Sequence, residues 1–282
     1  MDRISELLKK VDVLPASPVL LPKLAQALRD INNTNVHEVV DIIMFDSSLT
    51  AKLLQIANSA YFGNATPLTN VGDAISQVGY DAVYLLAASI TGEGCLRLPP
   101  GTGLDAVMLW KHSVTTAFGA QHVAQAAGLD GNLIFTAGLL HDLGKVVFAG
   151  TYGKDYAGML DPARRDSRSL IECENAQYGC DHAELGAALL ARWKIPAAIV
   201  AAVRFHHRPS AAGENAPLAA CICLGDILSL ALEKPSFALD PANPELQPAL
   251  RHVNLAVTDL DDQWNRIRQN WEFVQQLCEL RK

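Results

Sequence analysis

Of the eight histidines in this 282-residue chain, five fall at or near the ends of expected helices: His112, His141, His182, His206 and His207. Asp142 adjoins His141, and Asp226 stands inside the apolar run CICLGDILSL. Any one of these residues alone fits an ordinary role. A lone histidine is usually a hydrogen-bonded core or surface residue, and a histidine doublet suits a helix C-terminus, where the dipole favours positive charge. As a set they point to metal chemistry. Imidazole and carboxylate together suit divalent Fe, Mn, Zn, Co or Ni. Burying Asp142 and Asp226 without a cation would carry a large desolvation cost, which coordination would remove. Four to seven such groups on successive helices are enough for one or two ions. Neighbouring helical residues point about 100° apart, so His141 and Asp142, or His206 and His207, could flank two ions in one pocket. Lys145, just after Gly144, could reach a phosphate oxygen at the rim or be a solvated lysine at a helix end. His37, His122 and His252 fall outside the pattern and are assigned surface or core roles.

The elements that must position these groups read as helices throughout. Apolar residues recur at helical spacing over 18–28 (Leu21, Leu24, Ala25, Leu28), 36–45 and 47–62, with Ser47 or Ser48 as N-cap. Residues 69–88 read as two helices meeting at Gly79. The run LRLPPGTG (96–103) interrupts the pattern. A long helix then ends at Gly128 in the C′ position. NLIFTAGLLHDLGK follows, with Gly144 at its end, and a looser stretch covers 161–168. In DHAELGAALLARW, Asp181 and Glu184 have capping-box spacing. IPAAIVAAVRFHHRP halts at Pro209, and APLAACICLGDILSLALE carries Asp226. A final helix over about 258–280 lines up Leu260, Trp264, Ile267, Trp271 and Val274, acidic at its start and basic at its end. No run of strands is evident, so the fold class is all-α.

Composition narrows the partners. Half of the residues are hydrophobic and 19% are charged, which supports a large interior and argues against disorder. The net charge is −7 and no basic run occurs, so extended nucleic acid is a poor partner. A small phosphorylated ligand needs only one local positive site. The N-terminus lacks a signal-peptide pattern, and no apolar run approaches the roughly 20 residues of a membrane span. The six cysteines show no CxxC pair, which suits buried reduced thiols in a cytoplasmic protein.

His112, the HDLGK run at 141–145 and Asp226 resemble the H…HD…D signature of the HD metal-dependent phosphohydrolase superfamily. His182, His206 and His207 are similar to the extended set of its HD-GYP branch. The runs FDSSLTAKLLQIANSAYFG (45–63), NVGDAISQVGYDAVYLL (70–86), WKHS (110–113), AGLLHDLGK (137–145), DHAELGAALLARWKIP (181–196) and FHHRP (205–209) resemble HDOD domains in order, over about residues 12–230. The resemblance implies an N-terminal helical lobe over 1–100 and an HD-like metal-binding helical core over 101–235; the loop and amphipathic helix over 236–282 lie beyond it. It implies that His112, His141, Asp142 and Asp226 hold one ion, and that His182, His206 and His207 hold another, with Asp142 bridging. It also implies a bacterial signalling output or adaptor module that works through a protein partner or small ligand rather than turnover. Two departures from HD-GYP proteins favour that reading over cyclic-dinucleotide hydrolysis. The GYP loop after the histidine doublet is replaced by HHRPSAAGENAP, and Met108 stands where some members have a glutamate ligand.

Two other functions compete. One is a metal-dependent phosphohydrolase or phosphodiesterase acting on a nucleotide or cyclic dinucleotide, in which Lys145 would be catalytic. The other takes 69–88 as a DNA-reading helix-turn-helix, although YDAVYLLAAS offers no Arg or Lys to phosphate or base. The final helix either packs back on the domain or presents its Trp stripe to a partner.

Overall fold

A computed structural model describes residues 3–10, 47–59, 62, 67–95, 98, 101–165, 169–232, 239, 243–269 and 275. The helices expected over 18–28 and 36–45, the end of the final helix with Trp271, and His37 and Cys278 lie outside these residues. Among the described residues all regular structure is helical, as the Ala- and Leu-rich composition predicts.

The N-terminal part contributes α1 (Arg3–Lys10), α2 (Ser47–Ala57), α3 (Val71–Val78) and α4 (Tyr80–Cys95). Gly79 separates the last two at φ +85°, and Asn70 caps α3 by accepting from the Gly72 amide at 2.7 Å. Residues 83–89 of α4 are all buried, and α4 packs on a later helix. Those residues are not free to lie in a DNA groove, which weighs with the missing Arg and Lys against a helix-turn-helix reading of 69–88.

The centre of the molecule is α5 (Ala106–Ala126), with α6 (Gly131–Leu140), α7 (Leu143–Tyr152) and α8 (Lys154–Arg165) after it. Asp105 starts α5, accepting from the Val107 and Met108 amides at 2.8 and 3.1 Å. Gly128 ends it at φ +73°, in the expected C′ place. Asp130 caps α6 in the same way. These caps satisfy amides that the helix itself cannot. Helix α5 is buried on nearly every side, which makes it a core helix rather than an amphipathic one. The hydroxyls of Tyr84 and Thr136 are hydrogen-bonded and tie α4 to α6.

The chain continues through α9 (Leu170–Tyr178), α10 (His182–Arg192), α11 (Ala197–Arg204), two single 3₁₀ turns (Pro209–Ala211 and Gly213–Asn215), α12 (Ala216–Leu232), α13 (Leu246–Val253) and α14 (Val257–Gln269). Asp181 accepts from the Glu184 amide at 2.9 Å, as the capping-box spacing predicts. One apolar cluster runs from Leu7 and Leu53 through Val83, Trp110, Phe135 and Leu189 to Ile222. A second holds α5, α12, α13 and α14 together. Five cysteines, Cys95, Cys173, Cys180, Cys221 and Cys223, are free and buried.

Three expectations change. Gly144 does not end a helix; the break falls at His141–Asp142, and Gly144 lies in the first turn of α7. The stretch expected to be loose, 161–168, is helical up to Arg165, since α8 occupies 154–165. Two stretches, Gly131–Tyr152 and Gly213–Ala231, do reach membrane-span length and hydropathy, but 83% and 67% of them are buried inside the fold. Their apolarity is explained by packing on both sides of a core layer.

Two backbone contacts set the spacing of the helices that carry the site. A Cβ on Gly144 would lie 1.9 Å from the His182 carbonyl oxygen, so α7 and the start of α10 meet without side chains between them. A Cβ on Gly225 would lie 2.5 Å from the Ala120 nitrogen, and one on Gly119 would lie 3.0 Å from the Gly225 backbone. This holds α5 against α12, the helices of His112 and Asp226.

Candidate metal centre

The seven ligand candidates come together. His112 lies in the second turn of α5, further inside its helix than expected, and Asp226 is mid-way along α12. His141 closes α6 and Asp142 stands at the N-cap of α7. His182 is the first residue of α10, and His206 and His207 follow the end of α11. Ligand atoms of His112, His141 and Asp226 lie within 4.8 Å of one another, as do those of His182, His206 and His207, and those of His141, Asp142 and His206. The grouping parallels the division implied by the HD-GYP resemblance. His206 belongs both to the all-histidine group and to the group with His141 and Asp142, whereas His207 belongs to the all-histidine group alone, which is compatible with the doublet flanking two ions.

The hydrogen bonds behind the rings decide which nitrogen points inward. His141 Nδ1 is 2.6 Å from the Gly138 carbonyl and His206 Nδ1 is 2.7 Å from the Val203 carbonyl. His182 Nδ1 is 2.7 Å from Glu174 Oε2, His207 Nδ1 is 3.2 Å from Glu245 Oε1, and His112 Nδ1 is 3.1 Å from Ser229 Oγ. A carbonyl or carboxylate can only accept, so the proton sits on Nδ1 in the first four. The Ser229 hydroxyl donates to the Asp226 carbonyl, so its oxygen accepts from His112. In all five rings Nε2 is left for the cluster. This is the outer arrangement found behind metal-ligating histidines.

Inside, the polar atoms lack donors. Asp142 Oδ1, Asp226 Oδ1 and His206 Nε2 are buried with no hydrogen-bond partner. Asp142 Oδ1 is 3.5 Å from His141 Nε2 and 3.4 Å from His182 Nε2, and Asp226 Oδ1 is 3.2 Å from His112 Nε2 without hydrogen-bond alignment. Asp142 holds the N-cap position of α7 yet makes no capping bond. Buried acceptors facing buried acceptors are unfavourable unless a cation or a proton lies between them. The donor set therefore fits a divalent metal.

Protonation follows the same geometry. Burial pushes His141 down to about 4, partly offset by Asp142. Burial, then neighbouring His207 and His141, holds His206 well below its ordinary value. Burial also opposes charge on His112 and His207, but Asp226 and Asp142 beside the first, and Glu245 beside the second, raise both. For Asp142, burial is outweighed by His141 and Lys145, which hold it well below the usual carboxylate range. Asp226 is likewise lowered, with His112 overcoming burial. A proton on His207 can be donated from its Nε2 to His182 Nε2, 3.1 Å away.

Lys145 is not freely solvated: its Nζ lies 2.6 Å from Asp142 Oδ2, with 19% of the side chain exposed. One side of the cluster is closed, with His141, Asp142, His182 and His206 at 1% exposure or less. The other side, at His112, Lys145, His207 and Asp226, is partly open. Met108 is exposed, one turn before His112, and adds no carboxylate. His122 is half-buried on α5, and His252 Nε2 bonds the Ser210 hydroxyl at 2.9 Å. Glu174, Glu245 and Ser229 stand outside the set expected from sequence. Glu245 lies in the stretch read as a proline-rich loop, and Glu174 lies on a helix, Leu170–Tyr178, that the sequence reading did not assign.

The HDOD domain family model matches residues 14–209. The chain belongs to the HDOD family. Its fold is shared with the HDOD domain protein of Geobacter sulfurreducens, at TM-score 0.77 and 24% identity over 99% of this chain and 97% of that one. A Shewanella amazonensis protein provisionally described as a phosphohydrolase gives TM-score 0.73 and 22% identity over 97% of each chain. An uncharacterized protein of Treponema pallidum is 30% identical over 224 residues, covering 77% of this chain and 42% of that protein. The HDOD chain thus spans less than half the length of this relative. Asp226 and Glu245 lie beyond the matched residues.

Proposed function

We propose that this HDOD domain is a metal-binding signalling module of the bacterial cytoplasm, acting through a protein partner or a small phosphorylated ligand rather than through turnover. The observation that carries the metal reading is the convergence of five imidazoles around two carboxylates, each of which has one buried oxygen without a donor. Divalent Fe, Mn, Zn, Co or Ni fits the donor set. Two ions, one in each three-residue group, suit the grouping around Asp142. The open rim, with Lys145 beside it, suits an anionic ligand. Exposed Met108 and Leu230 lie one turn beyond His112 and Asp226 on the same helix faces and give that rim an apolar border. The missing GYP loop and the missing glutamate at position 108 favour binding over hydrolysis.

A metal-dependent phosphohydrolase is the second reading, favoured by the complete ligand set and by Lys145 held at 2.6 Å from Asp142. A bound divalent ion would supply Lewis-acid chemistry for phosphoryl transfer. In that case Lys145 would leave Asp142 to hold a phosphate oxygen.

Metal analysis of purified protein, repeated on Asp142→Asn and after titration with Mn and Fe, tests the first part. A divalent ion that Asp142→Asn loses is expected, and a wild-type protein that takes up no ion would sink the metal reading. Turnover of nucleotides, cyclic dinucleotides or phosphomonoesters that depends on Asp142 would replace the signalling reading with the enzyme one.

A further inference from the structure

The two three-residue groups are not alike in charge. His112, His141 and Asp226 include a carboxylate, whereas His182, His206 and His207 are three imidazoles with none of their own. Behind that neutral group stand two acids. Glu174 is fully buried on α9. Its Oε2 accepts from the His182 backbone amide at 2.9 Å and faces His182 Nδ1 at 2.7 Å, while its Oε1 accepts from the Tyr156 hydroxyl at 2.7 Å. Glu245, at the start of α13, faces His207 Nδ1 at 3.2 Å and has Cys223 Sγ at 3.7 Å from its other oxygen. His182 and His207 are also the two rings whose Nε2 atoms lie 3.1 Å apart.

We propose that Glu174 and Glu245 are positioning residues for the three-histidine group. Each carboxylate holds the proton of one imidazole on Nδ1, turns Nε2 inward, and places behind the ring the negative charge that the group itself lacks. A carboxylate accepting Nδ1–H makes the opposite nitrogen a stronger donor to a cation. The inference rests on the metal reading above.

Glu174 is the more committed of the two. Its carboxylate is buried and meets three donors, and the Tyr156 hydroxyl satisfies the oxygen that does not face His182. Glu245 reaches the group from beyond the residues matched by the family model, so α13 contributes to the site as well as covering α12. Glu184, on the same turn as His182, faces Arg204 and Arg208 at 3.9 and 3.7 Å and serves as a control of equal charge.

Mn titration by calorimetry on the full chain, using wild type, Glu174→Gln, Glu245→Gln and Glu184→Gln, tests the charge. Glutamine at 174 can still accept from the His182 amide and ring, so that variant removes charge while keeping the ring in place. Glu174→Gln and Glu245→Gln should each weaken Mn binding about 10–100-fold at one site, and Glu184→Gln should leave it unchanged. Wild-type affinity in both first variants, or an equal loss in Glu184→Gln, would overturn the proposal. Nitrogen-15 shifts of metal-free protein at about pH 9, where imidazole is neutral, test the orientation independently. His182 and His207 should carry Nδ1–H in wild type, and Glu174→Ala and Glu245→Ala should shift that proton toward Nε2. An unchanged tautomer in both would also overturn it. Wild-type protein that binds neither Mn nor Fe, Zn, Co or Ni in the same titration would refute the metal reading and the charge role together, while the tautomers still decide the orientation.

Discussion

At the scale of single residues, chemically identical imidazoles have different proton affinities because their neighbours differ. His141 and His206 are held low chiefly by burial, whereas His112 and His207 are raised by Asp226 and Glu245 against that burial. A folded value below the unfolded one, about 6.5 for histidine, gives stability that is present above that pH and lost as pH falls. A raised folded value gives stability present below about 6.5 and lost as pH rises through it. The two effects act on opposite sides, so the metal-free protein should be most stable near pH 6.5. Asp142 and Asp226, both lowered, add a further loss below about pH 4. Calorimetric Tm across pH 4 to 9 checks this, and a midpoint that climbs steadily to the alkaline end would contradict it. Metal must also displace protons from His112 and His207. Mn affinity should therefore fall as the pH is lowered through their raised values, and titrations in two buffers of different ionisation enthalpy should show proton release.

At the scale of elements, the site depends on helices meeting without side chains between them. Gly144→Ala would drive a methyl into the His182 carbonyl, which is backbone and cannot move aside. That substitution should cost at least ~3 kcal/mol by the overpacking mechanism and weaken metal binding, because it displaces His182 and Asp142 together. Gly158, exposed on α8 with nothing within 4 Å of an added Cβ, provides the contrast. Gly158→Ala should stabilise by about 0.5–1 kcal/mol. Urea denaturation of both variants measures the difference, and similar midpoints would contradict the packing account. Sequence showed that most of these helices exist, and the Asp181–Glu184 spacing marked where α10 starts; the caps at Asp105 and Asp130 emerged only in the structure. It misplaced Gly144, because glycine marks a helix end and a close helix crossing alike. Only the His182 backbone alongside tells which.

For the molecule as a whole, the C-terminal helix is the clearest test. Leu260, Trp264 and Ile267 of α14 are buried, and α14 packs on α5, in line with the expectation that it folds back on the domain. Ending the chain after residue 255 should therefore destabilise the protein by up to about 9 kcal/mol, from some 1.5–3 kcal/mol for each of these three apolar side chains as an upper bound. Chemical denaturation and size-exclusion chromatography of the truncated chain would separate this from a loss of association alone. Unchanged stability with altered assembly would place the helix in an interface instead.

The sequence by itself determined the all-helical class, the cap at Asp181, the seven candidate ligands and the family. Each of these depends on residue type and short-range spacing, which a chain carries before it folds. The tertiary structure decided which ring nitrogen each histidine presents. The Nδ1 partner of His182 is eight residues away, that of His207 is 38 away, and that of His112 is 117 away. Spacing along a helix cannot encode contacts at such separations. They arise where backbones close on one another at Gly144 and Gly225, and there they turn scattered histidines and aspartates into one convergent donor set.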